Sequence, residues 1–226
     1  MRSDVAVLIP ALNADRSLPP LVRAAREQVE RVVVVDDGSS DRTGELAKEA
    51  GAIVLRHEVN RGKGAALKTG FAWAVGQQVD GVITLDADGQ HLPAEIPKFI
   101  ECRRTTGADL IIGGRAHLFS DMLPRRRMAN SFAAWAVAKA SRTNIKDSQS
   151  GYRFYSLRVL RDLRLRSDGF DMETEVIIRA GVRGFKIVQI PIDLGFVDGL
   201  STSHYKPLTD TLRIAWTGVR ARFFWR

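Results

Sequence analysis

Short apolar, β-branched runs that end on acids or amides, each followed by helical periodicity, most constrain what this chain can fold into. Val5–Ile9 is the first run, and Ser17–Val29 then carries Leu18, Leu21, Val22, Ala25 and Val29 at helical spacing. Arg31–Val35 stops at Asp36-Asp37-Gly38, Thr43–Ala50 reads as a helix closed by Gly51, and Ala52–Arg56 reads as a strand. A helix over Ala65–Val75 leads to a strand over Gly81–Leu85 that stops at Asp86. Pro93 suits the first turn of another helix, and Leu110–Ile112 reads as a further strand. Strands alternating with helices of this length predict one α/β domain, with a mostly parallel sheet and helices on both faces. Ligands of such sheets bind beyond the carboxyl ends of the strands. Asn13, Asp36-Asp37, Asp86 and Asp88 all fall there.

The second half is less regular. Pro124–Ala140 reads as an amphipathic helix with a basic start, and Ser141–Gly151 as a polar loop. Met172–Ala180 reads as a helix and Phe185–Ile190 as a strand. From Pro207 to Arg226 the residues Leu208, Leu212, Trp216, Val219 and Phe223 recur at helical spacing, with Arg213, Arg220 and Arg222 mostly off that stripe. This suits an amphipathic helix lying in a lipid headgroup layer, or one docked on its own domain. The expected division is therefore a catalytic domain over 1–206 and a basic, aromatic segment over 207–226.

Charge is the unusual feature of the composition. The net charge of +8 is uneven: residues 103–127 hold six Lys/Arg against two acids, and residues 201–226 hold five against one. Those two zones account for the whole surplus, which points to two anionic contacts: nucleic acid, phosphorylated substrates or an acidic membrane surface. The lone Cys102 excludes an intramolecular disulfide. His57, His91, His117 and His204 form no sequence-local metal pair and read as surface or loop residues. No apolar run approaches the roughly 18 residues of a membrane span, and the N-terminal run lacks the lead-in and cleavage site of a signal peptide. A soluble chain in a reducing compartment is the expectation.

Asp86-Ala87-Asp88-Gly89-Gln90 is the sharpest local signal. If the chain stays extended past its strand, Asp86 and Asp88 share a side, because alternate side chains share a face. Two such carboxylates repel unless a cation lies between them, and hard oxygens favour Mg²⁺ or Mn²⁺, with Gln90 as a third donor. The same residues also suit an ordinary turn. In Asp36-Asp37-Gly38-Ser39-Ser40-Asp41 one carboxylate can accept a nucleobase N–H, while Asp41 with Glu45 suits helix capping. Asn60-Arg61-Gly62-Lys63-Gly64 resembles a phosphate cradle at a helix start without matching a standard fingerprint. Three arginines, Arg125-Arg126-Arg127, at a helix N-terminus oppose the helix dipole and hint at an anionic partner.

Taken together and in order, Ile9-Pro10-Ala11-Leu12-Asn13, Val35-Asp36-Asp37-Gly38-Ser39, Asn60-Arg61-Gly62-Lys63-Gly64, Asp86-Ala87-Asp88-Gly89-Gln90, Gly113-Gly114-Arg115 and Ser150-Gly151-Tyr152-Arg153 resemble family 2 glycosyltransferases. The likeness is to the dolichyl- or polyprenyl-phosphate sugar synthase group, of the GT-A (Rossmann-like) fold, and covers roughly residues 5–205. It implies inverting transfer of a sugar from a GDP- or UDP-sugar to a lipid phosphate, at the cytoplasmic face of a membrane. By the resemblance Pro10, Leu12, Val35, Asp37, Lys63, Asp86 and Ala87 bind the nucleotide-sugar, and Asp86, Asp88 and Gln90 hold Mg²⁺ or Mn²⁺. Asp88, Arg115, Asp147 and Arg153 form the expected catalytic set; by the resemblance Arg115 and Arg153 meet donor or acceptor phosphates, and Arg126, Arg127 and His204 are expected to meet the acceptor phosphate. The pattern departs at Leu12 and Ala14, where an aromatic and a Glu are usual, and at Thr202-Ser203-His204-Tyr205-Lys206 in place of a Ser-Lys signature.

A phosphate acceptor is already anionic and demands no general base, whereas an alcohol acceptor needs one, with Asp147 the candidate. A same-fold enzyme acting on a hydroxyl and a nucleotidyltransferase are therefore the nearest alternatives. A nucleic-acid binder leaves the strand-end acids unexplained, since without a metal they would repel phosphates, so no nucleic-acid partner is expected.

Overall fold

The structure is a computed structural model, and it describes residues 4–115, 124–163, 165–169 and 171–195, without the side chains of 124–130 and 132. Seven strands form one sheet: β1 (Val5–Ala11), β2 (Arg31–Asp36), β3 (Ile53–Arg56), β4 (Gly81–Thr84), β5 (Leu110–Gly114), β6 (Arg153–Ser156) and β7 (Ile187–Pro191). Their order is β3-β2-β1-β4-β6-β5-β7. All pairings are parallel except those of β6, which runs antiparallel to both β4 and β5.

The strands are apolar along their length because both sheet faces are covered. Ala6, Leu8, Val33, Val35, Val82, Leu110 and Tyr155 point to one face. There they meet α3 (Lys63–Gln77), α5 (Pro124–Ser141), α6 (Leu157–Asp162) and α7 (Asp171–Val182). Val7, Ile9, Val32, Val34, Ile83 and Phe154 point to the other, against α1 (Leu18–Gln28), α2 (Thr43–Glu49) and α4 (Ile96–Thr106). Each aliphatic side chain so buried is worth about 1.5–3 kcal/mol.

Local chemistry sets the helix ends. Pro19 and Pro20 lie within the first turn of α1, where a missing N–H costs nothing. A 3-10 turn at Pro93–Glu95 starts α4, and Gly107 closes it in the left-handed conformation at φ +67°. Helix α3 lies directly on β1: a Cβ at Gly70 would come within 2.2 Å of Leu8 Cδ1.

The parallel α/β expectation holds through the first half, and three details along the chain differ from the sequence reading. α3 begins at Lys63, taking in Gly64, which the sequence reads as loop. A Cβ on Gly64 would stand 2.5 Å from the Asp168 carbonyl carbon, so close approach of a neighbouring backbone decides this position. The six-residue α6, directly after β6, is too short to show a period. The strand ahead of the Asp86 motif ends at Thr84, and a turn begins at Ala87. The proposed boundary at 206 and the expected amphipathic helix of 207–226 lie outside the described residues.

Candidate functional site

A cleft of ≈ 630 Å³ opens beyond the carboxyl ends of β1, β2 and β4, against the start of α3. Of the residues expected to bind a nucleotide-sugar or metal, Pro10, Leu12, Asp37, Lys63, Asp86, Ala87 and Asp88 line it together. Val35 does not: it is fully buried on the α3 side of the sheet, under the cleft wall. Two loops shape the opening. Asn13, in the left-handed conformation at φ 49°, accepts from Ser40 N at 2.9 Å, while its own N–H donates to Ser39 Oγ at 3.0 Å. Ser17 sits at the head of α1 but caps nothing there, its hydroxyl donating instead to the Ala87 carbonyl at 2.6 Å.

The two acids after β2 part ways. Asp36 is fully buried, accepting from Ser39 N at 2.9 Å, with Arg56 Nε 3.6 Å away. Asp37 reaches the cleft and ties its wall together, accepting from Arg61 N at 3.0 Å, Gly62 N at 2.8 Å and the His57 ring at 2.6 Å. His57 is buried between Asp37 and Thr69, and His91 is buried as well, so both lie in connecting segments, as expected of loop residues, but not at the surface. His117 and His204 lie outside the described residues.

On the cleft floor Lys63 Nζ stands 2.6 Å from Asp86 Oδ1 and 3.4 Å from Glu173 Oε1. Burial opposes charge on Asp86, but the Lys63 ammonium, by its charge and its hydrogen bond, outweighs it and holds the carboxyl far below its usual range. Burial likewise pushes the Lys63 ammonium down, and Asp86 with Glu173 more than reverses it, so the ammonium stays charged. His91 accepts from Asp86 N at 3.0 Å through Nδ1, and burial pulls its pKa down despite the acids beside it. The ring is therefore neutral, with its proton on Nε2. Gly151 makes room for the ion pair: a Cβ there would meet both Asp86 carboxylate oxygens and Lys63 Nζ at 2.9–3.0 Å.

The turn at Ala87 changes the expected metal geometry. Asp88 Oδ1 accepts from Gln90 N at 3.0 Å, closing a tight turn with Gly89 at φ 78°. Asp86 and Asp88 thus do not stand as alternate residues of an extended strand, and the cation beside Asp86 is Lys63. Among the described residues no group of three or more His, Cys, Asp and Glu is placed to hold a metal alone. The hard oxygens of Asp88 and Asp86 at the cleft suit a divalent cation that takes its remaining ligands from a diphosphate, the usual habit of Mg²⁺.

Arg115 and Asp147 form one unit beside the end of β5. Arg115 Nε and Nη2 donate to Asp147 Oδ2 and Oδ1 at 2.9 and 3.3 Å, and Arg115 N and Gln149 N add bonds at 3.1 and 3.0 Å. The four bonds take up the four lone-pair positions of a carboxylate. Burial raises the Asp147 pKa, but Arg115 and these N–H groups bring it below the usual range. As a general base Asp147 has no free lone pair, so its work is to orient Arg115. Arg153 also differs from expectation. It is fully buried, and its guanidinium donates to the carbonyls of Ser150, Glu173 and Ser148 at 2.7, 2.6 and 2.9 Å. That makes it an internal clamp out of reach of a phosphate. Gln90 is exposed and does not line the cleft, and the side chains of Arg126 and Arg127 and all of His204 lie outside the described residues.

Glu173, which reaches the cleft floor only through Lys63, is the residue that sequence reasoning misses. It stands with Asp171 in the first turn of α7, where acids are favoured by the helix dipole anyway, so nothing in the pattern marks it.

Comparison with known proteins gives the same picture from a different direction. The model of "Glycosyl transferase family 2" matches residues 6–164. An undecaprenyl-phosphate mannosyltransferase of Micrococcus luteus is 32% identical over 207 residues, covering 83% of this chain and 82% of the relative. A polyprenol monophosphomannose synthase of Mycolicibacterium smegmatis is 31% identical over 239 residues, covering 96% and 87%. Among solved structures, glucosyl-3-phosphoglycerate synthase from Mycobacterium tuberculosis superposes with a TM-score of 0.74 at 20% identity, over 98% of this chain and 80% of that one, a likeness of fold. With the family model spanning most of the sheet and the cleft, and relatives this similar along most of their length, the chain belongs to glycosyl transferase family 2 and is a glycosyltransferase.

Proposed function

We propose that the chain transfers a sugar from a GDP- or UDP-sugar to a polyprenyl or dolichyl phosphate, with inversion at the anomeric carbon. The observation that carries this reading is the cleft floor, where the Lys63–Asp86 pair lies beside Asp88 at the start of α3. A helix N-terminus, an ammonium and hard oxygens converge there, which suits a diphosphate with its counter-cation. The names of the Micrococcus and Mycolicibacterium relatives, and of a Methanococcus voltae relative called a UDP-N-acetylglucosamine–dolichyl-phosphate N-acetylglucosaminyltransferase, support a lipid-phosphate acceptor.

In this reading Pro10, Leu12 and Asp37 shape the nucleoside end of the cleft, and Lys63 meets the diphosphate. Asp88 with Asp86 would hold Mg²⁺ or Mn²⁺, without the third donor expected from Gln90, which stands outside the cleft. Such a cation neutralises charge on the leaving diphosphate, and the structural neighbour has been crystallised with Mn²⁺ and UDP. Arg115, fixed by Asp147 with 20% of its side chain exposed, presents a guanidinium edge to donor or acceptor phosphate. A phosphate oxygen attacks as an anion, so engaging Asp147 with Arg115 costs the reaction nothing. An alcohol acceptor would lose its candidate base. No helix among the described residues is long and apolar enough to cross a membrane. We infer peripheral contact with the inner face of a membrane, through the basic segment 207–226.

A panel of GDP- and UDP-sugars offered with undecaprenyl phosphate, undecaprenol and 3-phosphoglycerate tests the reading. Label should enter the lipid phosphate alone, with the anomeric configuration of the product inverted by NMR. Transfer only to undecaprenol or 3-phosphoglycerate would replace the lipid phosphate by a hydroxyl acceptor. Asp88→Asn should abolish transfer with the fold intact, and activity surviving both that change and a chelator would remove the metal from the reading.

A further inference from the structure

Glu173 is a buried carboxylate that no motif of the donor site accounts for. Its Oε1 and Oε2 lie 3.4 and 3.5 Å from Lys63 Nζ, and Oε1 makes no hydrogen bond among the described residues. The residue is 7% exposed. Its position is fixed from the main chain, where its carbonyl accepts from Arg153 Nη1 at 2.6 Å. Lys63 thus stands between two carboxylates of different character. Asp86 is nearer, at 2.6 Å, and faces the cleft, while Glu173 is farther and faces it only across the ammonium.

A diphosphate and its cation entering the cleft would compete for both members of the Lys63–Asp86 pair. If Asp86 turns to the cation, Glu173 is the carboxylate that stays beside the Lys63 ammonium on the protein side. We propose that Glu173 is a positioning residue for donor binding: it anchors the Lys63 ammonium on the cleft floor, so that Lys63 serves the diphosphate while Asp86 turns to the diphosphate and its cation. The inference rests on the nucleotide-sugar reading of the cleft. Glu173 touches no substrate in it and acts through Lys63. The sequence separation of 110 residues explains why no local motif contains the pair.

Calorimetric titration of UDP and GDP into the full chain, with and without Mg²⁺, tests it through binding. Glu173→Gln keeps the shape and the carbonyl that holds Arg153, and should weaken the bound diphosphate about tenfold, the scale of a coupled charged pair. Glu173→Asp should recover part of that loss. In a Lys63→Met background, Glu173→Gln should change affinity less than twofold, because the residue it positions is gone. A merely structural role predicts the opposite: the same loss of affinity in both backgrounds, with a lowered unfolding midpoint. That result overturns the inference, as does wild-type affinity in Glu173→Gln. If the unmodified chain binds neither UDP nor GDP, the donor reading falls and this inference with it. If the unmodified chain binds and Glu173→Gln binds equally well, the inference alone falls.

Discussion

Gly151 contributes no side chain, yet the charge pair on the cleft floor depends on it. A methyl group at this position would lie 2.9–3.0 Å from both Asp86 oxygens and from Lys63 Nζ, closer than such atoms approach. Gly151→Ala should therefore part the pair and weaken nucleoside-diphosphate binding about tenfold or more, while the unfolding midpoint moves little because flexible side-chain ends absorb the shift. Titration of UDP and GDP with parallel thermal melts checks both halves, and unchanged affinity would mean that the pair tolerates separation. Asp147 gives a pH signature. Its folded pKa lies below its unfolded value, so its contribution is complete above about pH 4 and lost as pH falls through the folded pKa. Asp147→Asn should cost about 3 kcal/mol at neutral pH, as expected on breaking a buried pair. The gap to the unmodified chain should narrow progressively as pH falls from 5 through 3 toward the folded pKa. Urea unfolding across that range measures it, and a constant gap would show that the carboxylate does not titrate with folding. The strand-end acids were legible in the sequence because acids ending apolar strands are out of place as core and in place as ligands. The internal partners of Asp147 and Arg153 are not legible in the sequence, because a charged residue that binds another charge, or three carbonyls, inside the fold has the same letter as one that binds substrate.

Helix α3 carries more of the architecture than its composition suggests. Gly62, Gly64, Gly70 and Gly76 lie at or within it and argue against a helix by propensity alone. Gly70 exists for packing: Leu8 of β1 occupies the space a Cβ would need, at 2.2 Å. Gly70→Ala improves helix propensity by about 1 kcal/mol and should still destabilise the protein by about 1–3 kcal/mol net, because overpacking against a fully buried strand outweighs it. Chemical denaturation decides the sign, and a stabilised variant would show that α3 can lift off β1. Across the elements, the parallel strands were readable because burial on both faces makes them continuous apolar runs. β6 is four residues long and follows directly on the polar loop, so no periodicity marks it. It opens on Arg153, whose guanidinium is internal, and its antiparallel pairing with β4 and β5 depends on partners far along the chain. The start of α3 was hidden for a related reason, since Gly64 is dictated by the backbone of Asp168.

For the whole molecule, the net charge of +8 takes a different distribution once partners are assigned. Three of the six basic residues in 103–127 fall among the described side chains, and each is engaged within the fold. Arg103 donates to the carbonyls of Gly107 and Ala108, Arg104 pairs with Glu101, and Arg115 pairs with Asp147. The acceptor-side surplus then rests on Arg125, Arg126 and Arg127, and the second zone on residues 201–226. If that second zone meets anionic lipid, each Lys or Arg near the surface contributes about 1 kcal/mol, weakening with salt as the screening length shortens. The full chain should float with phosphatidylglycerol vesicles at low salt and release as salt rises, while floating little with neutral vesicles. A chain ending at Lys206 keeps every described residue and should lose most of that binding while retaining affinity for UDP or GDP. Equal flotation of the two chains would move the contact to Arg125–Arg127. Salt-insensitive flotation would make the apolar stripe of Leu208, Leu212, Trp216, Val219 and Phe223 the main attachment, and absence of flotation by either chain would end the membrane-surface reading of the charge.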